Sequence, residues 1–98
     1  MGEPRHWHLV MYDVGSDARL RRVHKLLTGW GKPMQYSVFR VRCTARELER
    51  LRFETTRLLE EEDRLTIVRL CAGCASRVSV RGAPLAALED DSPPFRVF

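Results

Sequence analysis

The sequence predicts an α+β domain, with an antiparallel sheet covered on one face by two amphipathic helices. Three observations predict it. The hydrophobic period switches between about 2 and about 3.6 residues along the chain. Two helix-period segments punctuate a series of short strand-like ones. Each helical segment carries a single apolar stripe, and two such stripes need a common surface on which to bury.

Residues 7–13 (WHLVMYD) form the first strand, apolar and aromatic, with Gly15 and Ser16 as a break. Over residues 17–30 the period changes: Leu20, Val23, Leu26, Leu27 and Trp30 share one stripe, and Arg19, Arg21, Arg22 and Lys25 lie mostly off it. Ser16 suits the N-cap, Asp17 the positive helix start, and Gly29 and Gly31 the end. Residues 34–42 (MQYSVFRVR) are again strand-like, with room to bend into two short paired strands. Ser37, Phe39 and Val41 alternate with Tyr36, Val38, Arg40 and Arg42. Thr44 to Glu47 reads T-x-x-E, a capping box opening a second helix with the stripe Leu48, Leu51, Thr55, Leu58 and Leu59. The acids of residues 60–63 sit badly with the helix dipole, so the helix is expected to fray there into a solvated run. Residues 64–70 (RLTIVRL) make a further strand, then a CAGC turn, then a shorter strand near residues 77–81. The order strand, helix, strand or bent strand pair, helix, strand, strand describes a ferredoxin-like sandwich. Its domain is expected to span residues 1–82. Residues 83–98 form a C-terminal segment whose last four residues can add a strand to a sheet edge, of this chain or of a partner.

Composition narrows the function. A chain of 98 residues fits one small domain, which an oligomeric interface would help to stabilise. No apolar run approaches the roughly 18 residues of a membrane span, and residues 1–7 hold no signal-peptide core, so the cytoplasm and no membrane partner are expected. Seventeen basic residues against thirteen acidic ones give a net charge of +4. All but Lys25 and Lys32 of the basic residues are Arg, whose planar fork of donors matches phosphate oxygens. Three Cys without a secretion signal argue against a disulfide framework. Cys71 and Cys74 form a C-x-x-C. With no second paired spacing and an apolar strand before it, the pair reads as a tight turn of semi-buried residues rather than a metal or redox site.

Asp13 closes an apolar strand where the chain turns into a helix. A carboxylate there either satisfies nearby loop and helix amides or serves as a hard oxygen ligand for Mg²⁺ beside a phosphodiester. One carboxylate rarely holds Mg²⁺ alone, and a two-fold dimer would supply a second copy. Arg19, Arg21, Arg22, Lys25, Arg40 and Arg42 are candidates to hold a nucleic-acid backbone, against the plainer reading of a solvated face. Tyr12 and Tyr36 could stack on bases. Phe39, in phase with Val41, reads as core, and His6, His8 and His24 show no ligand spacing.

Taken together, Tyr12-Asp13-Val14, Gln35-Tyr36-Ser37-Val38-Phe39, the TARELERL helix and the DRLTIVRL strand resemble the hallmark segments of the CRISPR-associated protein two family, over roughly residues 7–82. The resemblance implies a ferredoxin-like homodimer, often with its C-terminal strand on the partner. It implies assembly with the CRISPR integrase, CRISPR-associated protein one, to insert new spacers. It further implies a Mg²⁺-dependent endonuclease acting on RNA or DNA, with Asp13 as metal ligand and Tyr12, Arg22, Ser37 and Phe39 carried over by position. The alternative within the family is an architectural DNA-binding subunit without chemistry of its own. Two positions depart from the family pattern: Arg40 stands where an acid is frequent, and Pro33 where a base is, with Lys32 one step earlier.

Overall fold

The computed structural model describes residues 3–80 and 96–97. Along the chain run β1 (His6–Asp13), α1 (Asp17–Thr28), β2 (Lys32–Gln35), β3 (Val38–Cys43), α2 (Ala45–Thr56), β4 (Arg64–Leu70), a single turn α3 (Ala72–Ala75), β5 (Ser79–Val80) and β6 (Arg96–Val97). The first four strands form an antiparallel sheet in the order β2-β3-β1-β4, which places β1 at its centre. This is the ferredoxin-like arrangement, and residues 34–42 are indeed bent into a hairpin. The strand expected among the last four residues is found at Arg96–Val97, paired in parallel with β5 of the same chain. The rest of the C-terminal segment, residues 83–95 and 98, lies outside the described residues.

Local chemistry fixes the helix starts. The Ser16 hydroxyl accepts from the Arg19 amide at 3.4 Å. Thr44 and Glu47 form the reciprocal box, Glu47 N–H to Thr44 Oγ1 at 3.1 Å and Thr44 N–H to Glu47 Oε1 at 2.9 Å. Between α1 and β2, Gly31 passes so close to β3 that any Cβ would strike the Arg40 carbonyl oxygen and the Val41 side chain. Only glycine permits that approach.

Strand alternation then sorts the side chains. Val10 and Tyr12 of β1, with Phe39, Val41 and Cys43 of β3, face the helices and close the core with Val23, Leu27 and Leu51. The opposite phase carries Trp7, Leu9 and Met11 of β1. In register beside them stand Arg42, Arg40 and Val38 of β3, and Leu70, Val68 and Thr66 of β4. Neither α1 nor α2 covers this second face, which is apolar along β1 and has a basic flank at β3. Among the described residues no helix is long and apolar enough to cross a membrane.

The acidic run departs from expectation. Helix α2 stops at Thr56, before the acids begin. Asp63 is not solvated: its side chain has no exposed area and is gripped by Arg19, whose own side chain is 19% exposed. The Arg19 fork donates from Nε to Oδ2 at 2.8 Å and from Nη2 to Oδ1 at 3.1 Å. The amides of Gly15 and Glu60 each add a bond of 2.9 Å. Four donors converging on one carboxylate make it an anchor, tying the loop after β1 to the start of β4.

Candidate active site

Asp13 is the last residue of β1 and is exposed. Strand alternation turns its side chain away from the core that Val10 and Tyr12 enter, so the carboxylate is left in water. Among the described residues no group donates a hydrogen bond to it. Its cross-strand neighbour is Arg64, the first residue of β4. The Asp63 anchor lies next to Arg64 in sequence and bonds Gly15, two residues beyond Asp13, so both flanks of the carboxylate are fixed. Arg64 escaped the sequence reading because strand register is not written in any one segment. Asp63 escaped it because a run of four acids looks alike from end to end.

Tyr12 is adjacent in sequence but in the opposite strand phase, 5% exposed within the core cluster. Its hydroxyl donates to the Tyr36 carbonyl at 3.3 Å and lies 3.3 Å from His24 Nδ1. Since one hydroxyl has one proton, it accepts from His24 in that arrangement. Burial raises the Tyr12 pKa above its ordinary value, with the neighbouring Tyr36 adding to the effect, so the phenol stays neutral. Tyr12 and Asp13, both carried over as site residues by the resemblance, are therefore split between the two faces of the sheet. Ser37 holds the hairpin against the end of β1, its carbonyl accepting from the Tyr12 amide at 3.2 Å. Phe39 is wholly buried, its ring 6.2 Å from Tyr12 and edge-on to His24 at 5.2 Å. It packs, as its phase with Val41 predicts.

The basic candidates fall into three groups. Arg19 is engaged by Asp63, and a phosphate would have to compete with that carboxylate. Arg21, Arg22 and Lys25 are exposed on α1. Arg21 and Lys25 line a cavity of about 260 Å³ with Tyr12, Leu20, His24 and Tyr36. Arg40, buried, and Arg42, exposed, flank Trp7 on the face opposite α1 and α2, their guanidinium carbons 5.4 and 6.0 Å from its ring centroid. Arg40 pairs in register with Leu9 and Arg42 with Trp7. At about 3.3 Å per residue they stand roughly 13 and 20 Å along β1 from Asp13, so one protomer does not gather them around it.

The cysteines also differ from expectation. Cys71 and Cys74 are both exposed rather than semi-buried, and free. Cys71 caps the short α3, its sulfur accepting from the Cys74 amide at 3.3 Å. Among the described residues no group of three or more His, Cys, Asp or Glu side chains could hold a metal ion. Among the described residues of one protomer, Asp13 offers a hard oxygen ligand without helpers of its own class.

Comparison with known proteins places these features in a family. The model of the family described as CRISPR associated protein Cas2 matches residues 6–78. The CRISPR-associated endoribonuclease Cas2 1 of Chloroflexus aurantiacus is 34% identical over 90 residues, covering 90% of this chain and 88% of that protein. The CRISPR-associated endonuclease Cas2 of Halalkalibacterium halodurans is 38% identical over 89 residues, covering 84% and 93%. The crystal structure of Streptococcus pyogenes Cas2 superimposes with a TM-score of 0.67 at 31% identity, covering 74% of this chain and 94% of that one.

Proposed function

The chain belongs to the CRISPR-associated Cas2 family, and from that premise we propose that it is a metal-dependent endonuclease of spacer acquisition. It works as a homodimer beside the CRISPR integrase, with Asp13 as the residue on which cleavage depends. The observation that carries the reading is the state of Asp13: exposed at the end of a buried strand, its flanks anchored, its carboxylate given no hydrogen bond by any of the described residues. A structural aspartate would be tied to amides, as Asp63 is.

The donor chemistry fits a hard divalent cation. Mg²⁺ keeps several of its waters and is held by one or two carboxylates together with substrate phosphate, not by a complete protein cage. Asp13 supplies one such oxygen ligand, and its copy in a second protomer supplies another. Bound there, Mg²⁺ would polarise a phosphoryl oxygen and acidify water. The chain's own contribution is to present the carboxylate in water at a fixed strand end and to hold the backbone with cations. Arg64 lies directly across from Asp13, and Arg21, Arg22 and Lys25 extend along α1. Phosphate contacts of this kind position a strand without reading its sequence.

The dimer reading rests on the sheet face opposite α1 and α2. Trp7, Leu9 and Met11 share one strand phase with Asp13, so two such faces packed together bring the two strand ends toward a common seam. Neither α1 nor α2 lies on this face, and its exposed apolar position Val68 is the kind of surface that a second copy covers.

Two measurements test the reading. Purified protein is expected to cut labelled single-stranded RNA or duplex DNA in Mg²⁺, to stop on chelation and to resume when Mg²⁺ is restored. Cleavage that persists in excess EDTA refutes the metal assignment. Val68, 39% exposed on that face, tests the dimer. Val68→Asp is expected to shift the protein toward monomer in analytical ultracentrifugation, because an unpaired charge buried in an apolar interface costs several kcal/mol. An unchanged dimer would place the interface elsewhere.

A further inference from the structure

The cavity between α1 and the β2–β3 turn is separate from Asp13. Tyr12 lies behind it, buried, with Leu20 and His24 on the helix side, Tyr36 on the turn side, and Arg21 and Lys25 on exposed positions of α1. At about 260 Å³ it is just smaller than the ~300 Å³ at which pockets for drug-sized molecules begin, so it suits one ring system.

Its chemistry is equally specific. Tyr36 is 82% exposed, the most exposed of the large apolar side chains among the described residues. An aromatic ring kept in water at a turn is spare surface for a planar partner. Arg21 and Lys25 are four residues apart on one helix, so their side chains rise from one face as neighbours. An aromatic wall with cations beside it matches a base and its flanking phosphates, the pairing that single-strand-binding grooves use. A peptide or lipid would need a longer apolar trough. The Tyr12 hydroxyl holds the Tyr36 carbonyl and approaches His24, so it braces turn and helix on either side of the cavity, a role that needs it buried and neutral.

We propose that this cavity receives a single unstacked nucleobase against Tyr36, with Arg21 and Lys25 on the adjoining phosphates. The protein then distinguishes single-stranded or locally opened nucleic acid from an intact duplex. The proposal deepens the nuclease reading and depends on its nucleic-acid partner. In a duplex the bases are already stacked and paired, and extracting one costs a few kcal/mol, so a fully paired strand engages only the cations.

The test uses the full-length protein in EDTA, with a 2-aminopurine-labelled single-stranded oligonucleotide and the same strand in a duplex. Tyr36→Ala is expected to weaken single-strand binding by roughly 5- to 150-fold, as truncation of a base-stacking aromatic does. It should abolish the fluorescence quench and leave duplex binding within about two-fold. Tyr36→Phe is expected to restore both signals, because the ring and the backbone carbonyl are kept. The double variant Arg21→Ala, Lys25→Ala is expected to weaken both substrates and to reduce the salt slope by about two. Single-strand affinity unmoved by Tyr36→Ala, or duplex affinity lost in equal measure, overturns the base pocket while the nuclease reading stands. Wild-type protein binding neither substrate defeats both.

Discussion

Asp13→Ala is expected to abolish phosphodiester cleavage and to leave the folded protein and its association intact. The two halves of that outcome follow from one observation. A side chain that is exposed and receives no hydrogen bond from the described residues contributes little to folding, and its removal should stay within about 0.5 kcal/mol. The same side chain is the oxygen ligand on which metal-assisted hydrolysis is proposed to rest. Its loss is expected to lower single-turnover cleavage by at least about 100-fold, the scale of a positioned acid, base or metal-holding group. Thermal unfolding and sedimentation should match wild type. A variant that cuts at the wild-type rate would remove Asp13 from the chemistry and leave the architectural reading, in which the Arg residues grip duplex DNA and the integrase does the cutting.

The site was legible where it depended on local chemistry and illegible where it depended on register. The stop at Asp13, the Thr44–Glu47 box and the bend within residues 34–42 each follow from a few neighbouring residues, and each is present in the fold. Tyr12 was carried over beside Asp13 by the family resemblance, and adjacency in a strand puts the two on opposite faces. The alternation that exposes Asp13 sends the phenol into the core. Arg40 and Arg42 were correctly assigned to one sheet face. Their separation from Asp13 emerges only when β1 is aligned antiparallel to β3, which pairs Arg42 with Trp7. Arg19 was grouped with Arg21 and Arg22 by spacing. Its true neighbour is 44 residues away in sequence, where Asp63 waits at the head of β4. The C-x-x-C was read as a turn because it follows a strand. Its first cysteine caps a single helical turn instead, one too short to show a period.

Breaking the Asp63 anchor should have a broader effect than removing Asp13, and a different pH signature. The Arg19 guanidinium and the amides of Glu60 and Gly15 hold the Asp63 carboxyl far below its ordinary value of 3.8. A depressed folded pKa means the unfolded chain binds the proton more readily. The stabilisation is therefore complete above about pH 5 and is lost as the pH falls through 3.8 toward the folded value. Asp63→Asn removes the charge without changing the shape. It leaves Arg19 with a side chain only 19% exposed facing a neutral amide. The variant is expected to melt at a lower temperature than wild type at pH 7, with the gap closing as acid protonates Asp63 in the normal protein. Cleavage should also fall, since the bond from Gly15 to Asp63 fixes the loop that follows Asp13. Melting curves recorded from pH 7 to pH 2 decide the matter. Wild-type and variant midpoints that run parallel over that whole range would mean that the ionised anchor contributes nothing to the fold, and that Asp13 owes its position to strand pairing alone.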